Sequence, residues 1–293
     1  MVFQDSRDFQ ISFLSLFLFL GVTARDWTLR FPLLLAIFLS CLGFQLLFLV
    51  LSRVLIPKIA KIMLFYGSIV KFNTTSGKLS ISSLKSSLIT VLGLCLILRA
   101  NNYETMILAG GLAIASKFIF SYQKKHFFNP ANFGIISALV LTEDAWVSPG
   151  QWGADSTYVL LFMALAGIIL GRVGRWETGA VFLGVYGGLW AVRDYWLGWT
   201  PDILTHQLSS GSLLLFSFFM ITDPRSTPDA FSGRVVWSIA LAGLTFILQQ
   251  TLYISTAPFW ALFILSPFTV IIDRFWQGQR FQWQTNISNP VGT

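Results

Sequence analysis

Charge is what this sequence has least of. Aspartate, glutamate, lysine and arginine make up 11% of 293 residues, against 55% hydrophobic and 16% aromatic side chains. So few polar groups cannot cover a water-facing surface. No polar stretch of even ~50 residues, near the lower size of a domain, interrupts the apolar runs, so a separate water-soluble domain is not expected. Cysteine and histidine are nearly missing, with two of each. Cys41 and Cys95 fall singly in different apolar spans, without the clustered spacing of a zinc or iron–sulfur site, and read as small packing residues. His126 and His206 fall on opposite sides of the membrane in the topology below and cannot share a metal ion. A Walker loop, a dinucleotide glycine fingerprint and a Gly-x-Ser-x-Gly elbow are all lacking, which leaves nicotinamide or nucleotide binding without sequence support.

Long apolar runs are what the chain does have. A bilayer core takes roughly 20 apolar residues per helix. Hydropathy at that length predicts spans near 9–24, 31–51, 84–100, 104–122, 130–143, 156–171, 178–196, 203–221, 235–254 and 257–273. The expected fold is an all-α integral membrane protein of about ten transmembrane helices, forming one polytopic membrane domain over residues 1–293. Residues 52–83, where Arg53, Lys58, Lys61, Lys71 and Lys78 alternate with apolar side chains, suit an amphipathic interfacial segment. Residues 275–293 form a polar C-terminal tail. The leader before the first span carries Asp5 and Asp8 against Arg7, so the basic n-region of a secretory signal is missing and the span reads as a retained helix.

With the N-terminus inside and an even number of spans, only Arg25, Arg30, Arg99 and Arg193 of the 20 basic residues lie on the far side. The positive-inside rule then puts both termini in the cytoplasm, in a plasma membrane or another energy-transducing membrane. The net charge of +7 reflects that orientation and anionic lipid, and gives no support for nucleic acid. Trp146, Trp152, Trp176, Trp196, Trp199 and Trp276 cluster at span ends, as interfacial anchors do. Gly167-x3-Gly171 and Gly184-x3-Gly188 would let helices approach closely.

Two spans are broken by similar chemistry, at Phe128-Asn129-Pro130-Ala131-Asn132-Phe133-Gly134 and at Ile221-Thr222-Asp223-Pro224-Arg225-Ser226-Thr227-Pro228. Backbone groups freed at a break inside hydrocarbon cost several kcal/mol each unless protein, water or ligand supplies partners. In each, a hydrogen-bonding side chain precedes proline, the pattern of an N-cap followed by proline at the first helical position. Both breaks are therefore expected to open a discontinuous helix whose free amides face an anion or an electron-rich ring edge. A weak echo, Ala109-Gly110-Gly111-Leu112 against Ser210-Gly211-Ser212-Leu213 and Pro130-Ala131-Asn132-Phe133 against Pro228-Asp229-Ala230-Phe231, suggests two related halves.

The ordered set Lys125-His126-Phe127-Phe128-Asn129-Pro130-Ala131, then Glu177-Thr178 within Gly174-Arg175-Trp176-Glu177-Thr178-Gly179, then Phe218-Phe219-Met220-Ile221-Thr222-Asp223-Pro224, and finally Ser266-Pro267-Phe268-Thr269 through Asp273-Arg274, resembles RnfD, the D-type component of Rnf-type electron transport complexes. It is also similar to NqrB, the related B-type component of sodium-translocating NADH:quinone reductases. The resemblance implies a flavin-carrying membrane subunit that works with other membrane subunits in electron transport coupled to ion movement, rather than an enzyme acting alone. That family attaches FMN to a threonine in a Ser-Gly-Ala-Thr motif. Here the interval from Trp146 to Thr157 holds no such motif, so the flavin implied, FMN or riboflavin, is non-covalent.

The residues expected to line its site are Lys117, Asn129, Pro130, Asn132, Glu177, Thr178, Thr222, Asp223, Pro224 and Arg225. Asp223 and Glu177 serve equally well as helix caps, Lys117 as a snorkelling cation, and Arg225 and Arg234 as orientation charges. Two other readings remain open: a small-solute channel or transporter without redox activity, and an accessory protein of a biosynthetic or photosynthetic membrane.

Overall fold

The computed structural model describes residues 5–24, 30–65, 81–122, 125–148, 163–164, 166–168, 171 and 174–281. The predicted sixth span, 156–171, is covered only in fragments, and residues 66–80, Trp152, Thr157 and the tail beyond 281 lie outside the described residues.

The described chain is mostly helical. Its helices are α1 (Ser6–Ala24), α2 (Phe31–Phe65), α3 (Ile81–Ile97), α4 (Tyr103–Ile119), α5 (Pro130–Leu141), α6 (Trp176–Leu197), α7 (Pro201–Leu208), α8 (Gly211–Leu215, running into a π-turn over Phe216–Met220), α9 (Phe231–Thr251), α10 (Ala257–Leu265) and α11 (Phe268–Phe275). The all-α expectation needs one amendment. Two minimal antiparallel ladders join helix ends, β1 (Leu98–Arg99) with β4 (Trp146–Val147) and β2 (Ser121–Tyr122) with β3 (Lys125–His126). Backbone groups that leave a helix still need partners, and a short ladder supplies them.

Among the described residues, Phe31–Leu51 and Phe231–Thr251 can each cross a membrane alone by length and composition, and up to four spans result if each bent pair counts as one. The pairs are α7 with α8, bent by 53°, and α10 with α11, bent by 54°. Helix lengths therefore support a membrane protein without establishing ten spans. α2 continues for 35 residues, about 52 Å at 1.5 Å per residue. The start of the predicted interfacial segment is thus an extension of that helix.

Close packing comes from glycines other than those the spacing singled out. A Cβ built on Gly134 of α5 would stand 2.6 Å from the Ala109 carbonyl oxygen and 2.9 Å from Ala113 Cβ. One on Gly111 of α4 would meet the Phe44 ring of α2 at 2.9 Å. α4 is clamped between α2 and α5 through such contacts, as small residues permit between membrane helices. Among the described residues nothing lies within 4 Å of a Cβ built on Gly184 or Gly188, or on Gly167 or Gly171, so neither motif meets a described helix. α6 buries Thr178, Phe182, Tyr186, Trp190 and Asp194 at every fourth position, and Gly184 and Gly188 fall on the opposite side of that stripe. The sequence echo also lands on non-equivalent positions, since Gly110 lies inside α4 whereas Gly211 opens α8.

Gly134→Ala should lower stability by about 1–3 kcal/mol through overpacking against a backbone oxygen, read as a lower unfolding temperature in detergent. Gly184→Ala should leave it unchanged or raise it. Equal stability of the Gly134→Ala protein and its parent would show that α4 and α5 are not held so close.

Candidate functional site

The first break forms as the sequence predicts. Asn129 has extended backbone, its side chain accepts the Asn132 N–H at 3.1 Å, and Pro130 follows at the start of α5. The hairpin β2–β3 leads into this cap, and Phe120, Phe127, Phe128, Phe133 and Phe263 form a continuous ring cluster around it, with centroids 5.0–6.1 Å apart. Alternation along the strand then fixes the direction of neighbouring side chains. His126 is buried toward the break, while Lys125 reaches the other way to Asp229 at 3.0 Å and Asp273 at 2.7 Å.

The second break differs from the prediction. α8 ends in a π-turn, where the Ser217 hydroxyl donates back to the Leu213 carbonyl at 2.7 Å and the Thr222 hydroxyl to the Phe218 carbonyl at 2.6 Å. Such back-bonding competes with the regular ladder, and π-turns are frequent at functional sites. No helix opens at Pro224. Residues 222–230 run as turns until α9 begins at Phe231. A helix starting at Pro224 would carry Pro228 in its interior, with no N–H to give and a ring against the Pro224 carbonyl. Asp223 caps the turn instead, accepting the Arg225 N–H at 3.1 Å and the Ser226 hydroxyl at 3.0 Å.

The two breaks touch. Asn129 Nδ2 donates to the Met220 carbonyl, at the end of the π-turn, at 3.2 Å. Between them lies a cavity with about 80 Å³ of free space. Its polar end is made by Lys117, His126, Asn129, Thr222, Asp223 and Arg225, with Pro130 and Pro224 beside them. Leu14, Ile89, Phe218 and Phe219 supply apolar wall. Lys117 Nζ donates to the Ser86 carbonyl at 3.1 Å.

Seven of the ten expected site residues therefore line one cavity. Asn132, Glu177 and Thr178 do not. Asn132 Nδ2 donates to the Phe259 carbonyl at 3.1 Å, tying α5 to α10. Glu177 pairs with Arg234 at 2.5 Å in a buried bridge, and Arg234 also donates to the Asp229 carbonyl at 2.7 Å. Together with Arg175, which donates to the Pro228 carbonyl at 2.7 Å, this network holds the loop of the second break. α6 reaches it because residue 179 is glycine: a Cβ there would stand 2.6 Å from the Ser217 carbonyl oxygen and 3.7 Å from Thr222 Cγ2.

Arg7 and Gln10 of α1 also line the cavity and were not anticipated. Their three-residue spacing puts them on one helix face, but Arg7 read as an orientation charge. Asp5 holds it at 2.6 Å, and the Phe13 ring stacks on Phe219 at 5.0 Å, docking α1 against the π-turn. His126, discounted as a metal ligand, was missed too. Its Nε2 lies 3.6 Å from Asp223 Oδ2. Burial pushes the imidazole below its ordinary pKa against the pull of Asp223. For Asp223, burial alone would raise the carboxyl, but the neighbouring imidazole and the Arg225 and Ser226 donors outweigh it and hold the group at about 2. The cavity thus combines an ionised carboxylate, three flanking cations and the amide end of α5, an arrangement suited to a polar or anionic group.

The pattern of the NQR2, RnfD, RnfE family matches residues 123–282. The D-type subunit of the ion-translocating oxidoreductase complex of Halorhodospira halophila is 32% identical over 150 residues, 50% of this chain and 40% of that protein. The D-type subunit of the proton-translocating ferredoxin:NAD(+) oxidoreductase complex of Clostridium ljungdahlii is 26% identical over 133 residues, 45% of this chain and 40% of that protein. Its counterpart in the ion-translocating oxidoreductase complex of Stutzerimonas stutzeri is 29% identical over 132 residues, 43% and 36% of the two chains. The match spans about two fifths of the length of these curated relatives.

Arg234→Gln leaves Glu177 buried without its partner and should cost about 3–5 kcal/mol, with much of the loss recovered in the Glu177→Gln/Arg234→Gln double variant. Chemical or thermal unfolding in detergent reads both. A carboxyl held below its unfolded value stabilises the fold above that value, about 3.9, and loses the contribution as pH falls toward the folded value of about 2. The parent protein should therefore lose stability more steeply between about pH 4 and pH 2 than Asp223→Asn; parallel pH profiles would contradict the assigned environment of Asp223.

Proposed function

Since the chain belongs to the NQR2, RnfD, RnfE family, an assignment that makes it an integral membrane protein, we propose that it is the electron-transport subunit of an ion-translocating oxidoreductase complex and holds a non-covalent flavin between its two breaks. One observation carries this reading: the Asn129 amide joins both breaks beside a cavity whose polar end faces an apolar, phenylalanine-bearing wall. A flavin has the same division, a flat apolar ring with hydrogen-bonding groups along one edge.

The donor set fits that group. The first-turn amides of α5 and the side chains of Lys117 and Arg225 would meet electron-rich edge atoms or a phosphate. The free space of about 80 Å³ is below the roughly 300–1,000 Å³ of sites that enclose a drug-sized ligand. A tricyclic ring comes in only if lining side chains swing aside. When bound, the flavin would supply the electron storage and transfer, while the chain positions it and sets the charge around it. The partners are other membrane subunits of the complex.

The small free volume favours a second reading, a passage for a small polar solute with no redox step. Extraction in mild detergent, with visible absorption and mass spectrometry of the released cofactor, separates the two. The flavin reading expects a flavin released by acid without hydrolysis, at a several-fold lower occupancy in Asn129→Ala and Asp223→Asn. Protein that carries no flavin would favour solute transport. Flavin that stays on the polypeptide through denaturation would overturn the non-covalent assignment.

A further inference from the structure

The hairpin that turns His126 toward the breaks turns Lys125 away from them, and Lys125 emerges in a second, larger cleft with about 390 Å³ of free space. That volume lies within the roughly 300–1,000 Å³ of sites that take small molecules. Its lining is charged: Lys125, Asp229, Asp273, Arg274 and Arg280, with the Tyr122 ring beside them. α11 forms one wall. Its Thr269, Val270, Asp273 and Arg274 line the cleft, while Phe268, Ile271 and Phe275, spaced by three and four residues, are exposed on the other side of the helix. In a membrane protein such a stripe belongs against acyl chains, so the cleft opens toward headgroups and water. The segment after α11 forms another wall, and it lies flat on the second-break loop because residue 278 is glycine. A Cβ there would stand 2.6 Å from the Ala230 nitrogen and 2.6 Å from the Asp229 carbonyl carbon. That close approach brings Gln277 and Arg280 into the lining.

The charges in the cleft are unevenly committed. Lys125 Nζ donates to Asp229 at 3.0 Å and to Asp273 at 2.7 Å, and the second oxygen of Asp273 accepts the Asp229 N–H at 2.7 Å. One ammonium thus sits between two carboxylates whose side chains are 7% and 21% exposed. Arg274 instead lies over the Tyr122 ring, 5.9 Å from its centre, and both Arg274 and Arg280 are exposed. Over the whole lining, three cations outweigh two carboxylates. Two guanidiniums with forked donors fit the several oxygens of a phosphate group better than the two of a lone carboxylate. A carboxylate oxygen can take two donors, so Asp229 and Asp273 keep acceptor capacity beyond what Lys125 uses. That capacity suits hydroxyl groups and repels a second anionic group. A ligand that meets both halves of the lining carries one phosphate and one or more hydroxyls.

We propose that this cleft binds a phosphorylated polyol, with Arg274 and Arg280 on the phosphate and Asp229 and Asp273 on the hydroxyls. The same chemistry is offered by a free polyol phosphate and by the headgroup of a glycerol-bearing phospholipid. Binding here does not depend on the flavin assignment, since the cleft and the cavity between the breaks have no lining residue in common.

Titration calorimetry of the full chain in neutral detergent, with glycerol phosphate, inorganic phosphate and glycerol, tests the soluble source. Native mass spectrometry of protein released from phosphatidylcholine nanodiscs with and without phosphatidylglycerol tests the lipid source. Glycerol phosphate should bind about tenfold more tightly than inorganic phosphate, and glycerol alone should give no heat of binding. Arg274→Gln and Arg280→Gln should each weaken that binding about tenfold, with the unfolding temperature and flavin content of the parent. Asp273→Asn removes a negative charge, so inorganic phosphate should bind it more tightly while the preference for the polyol ester shrinks. Selective retention of phosphatidylglycerol that the two arginine substitutions abolish, without a response to the free ester, would support the site and assign it to a lipid headgroup. Absence of binding in both arms, affinities that neither arginine substitution changes, or equal affinity for glycerol phosphate and inorganic phosphate overturns the proposal.

Discussion

The primary amide of Asn129 is the contact on which the arrangement of this protein depends. Its oxygen takes up a free N–H at the start of α5, and its nitrogen gives a hydrogen bond to the carbonyl at the end of the π-turn. A helix start lacks acceptors and a helix end lacks donors. Only a side chain carrying both an acceptor and a donor, placed where the two ends meet, can serve them together. In an apolar interior that service allows two interrupted helices to lie against each other without water between their backbones. Asn132 repeats it one turn on, toward α10.

Around that amide the chain sets its charges in two separate groups. Lys117, Arg225 and Arg7 approach the cavity from α4, the second break and α1. Glu177, Arg234, Arg175 and Asp229 brace the loop behind it. A buried ion pair adds little net stability once desolvation is counted. Its value here is geometric: the Glu177–Arg234 bridge fixes where α6 and α9 begin, and Gly179 lets α6 come close enough to touch the π-turn. The chemistry at the cavity thus depends on residues that never face it.

Much of this was legible in the sequence. Composition alone placed the chain in a membrane, and Asn-Pro followed by Asn announced a capped helix start because cap and proline are local signals. Asp223-Pro224 looked alike and behaved otherwise. The deciding residue was Pro228, four positions on, which forbids the helix that the dipeptide alone would allow. Arg7 and His126 were beyond such rules, since their roles come from α1 docking through Phe13 on Phe219 and from the hairpin that turns His126 inward. Helix-packing glycines were misread for the same reason. Spacing identifies a stripe of small residues, and only the buried face of the helix decides whether a neighbour occupies it.

The two polar features of the protein answer one constraint in different ways. At the breaks, unpaired backbone is met by side chains, and what remains is a small cavity with a net positive lining. Near the far end of α6 the backbone is fully helical, and the buried Asp194 carboxylate lies 3.5 Å from the Arg193 guanidinium. A chain with only 11% charged residues retains that pair at a desolvation cost of several kcal/mol. Substituting a nonpolar residue of similar volume would remove that cost and improve packing, as replacement of buried ionic groups often does. A buried carboxylate held by a neighbouring guanidinium is therefore a poor choice for stability alone.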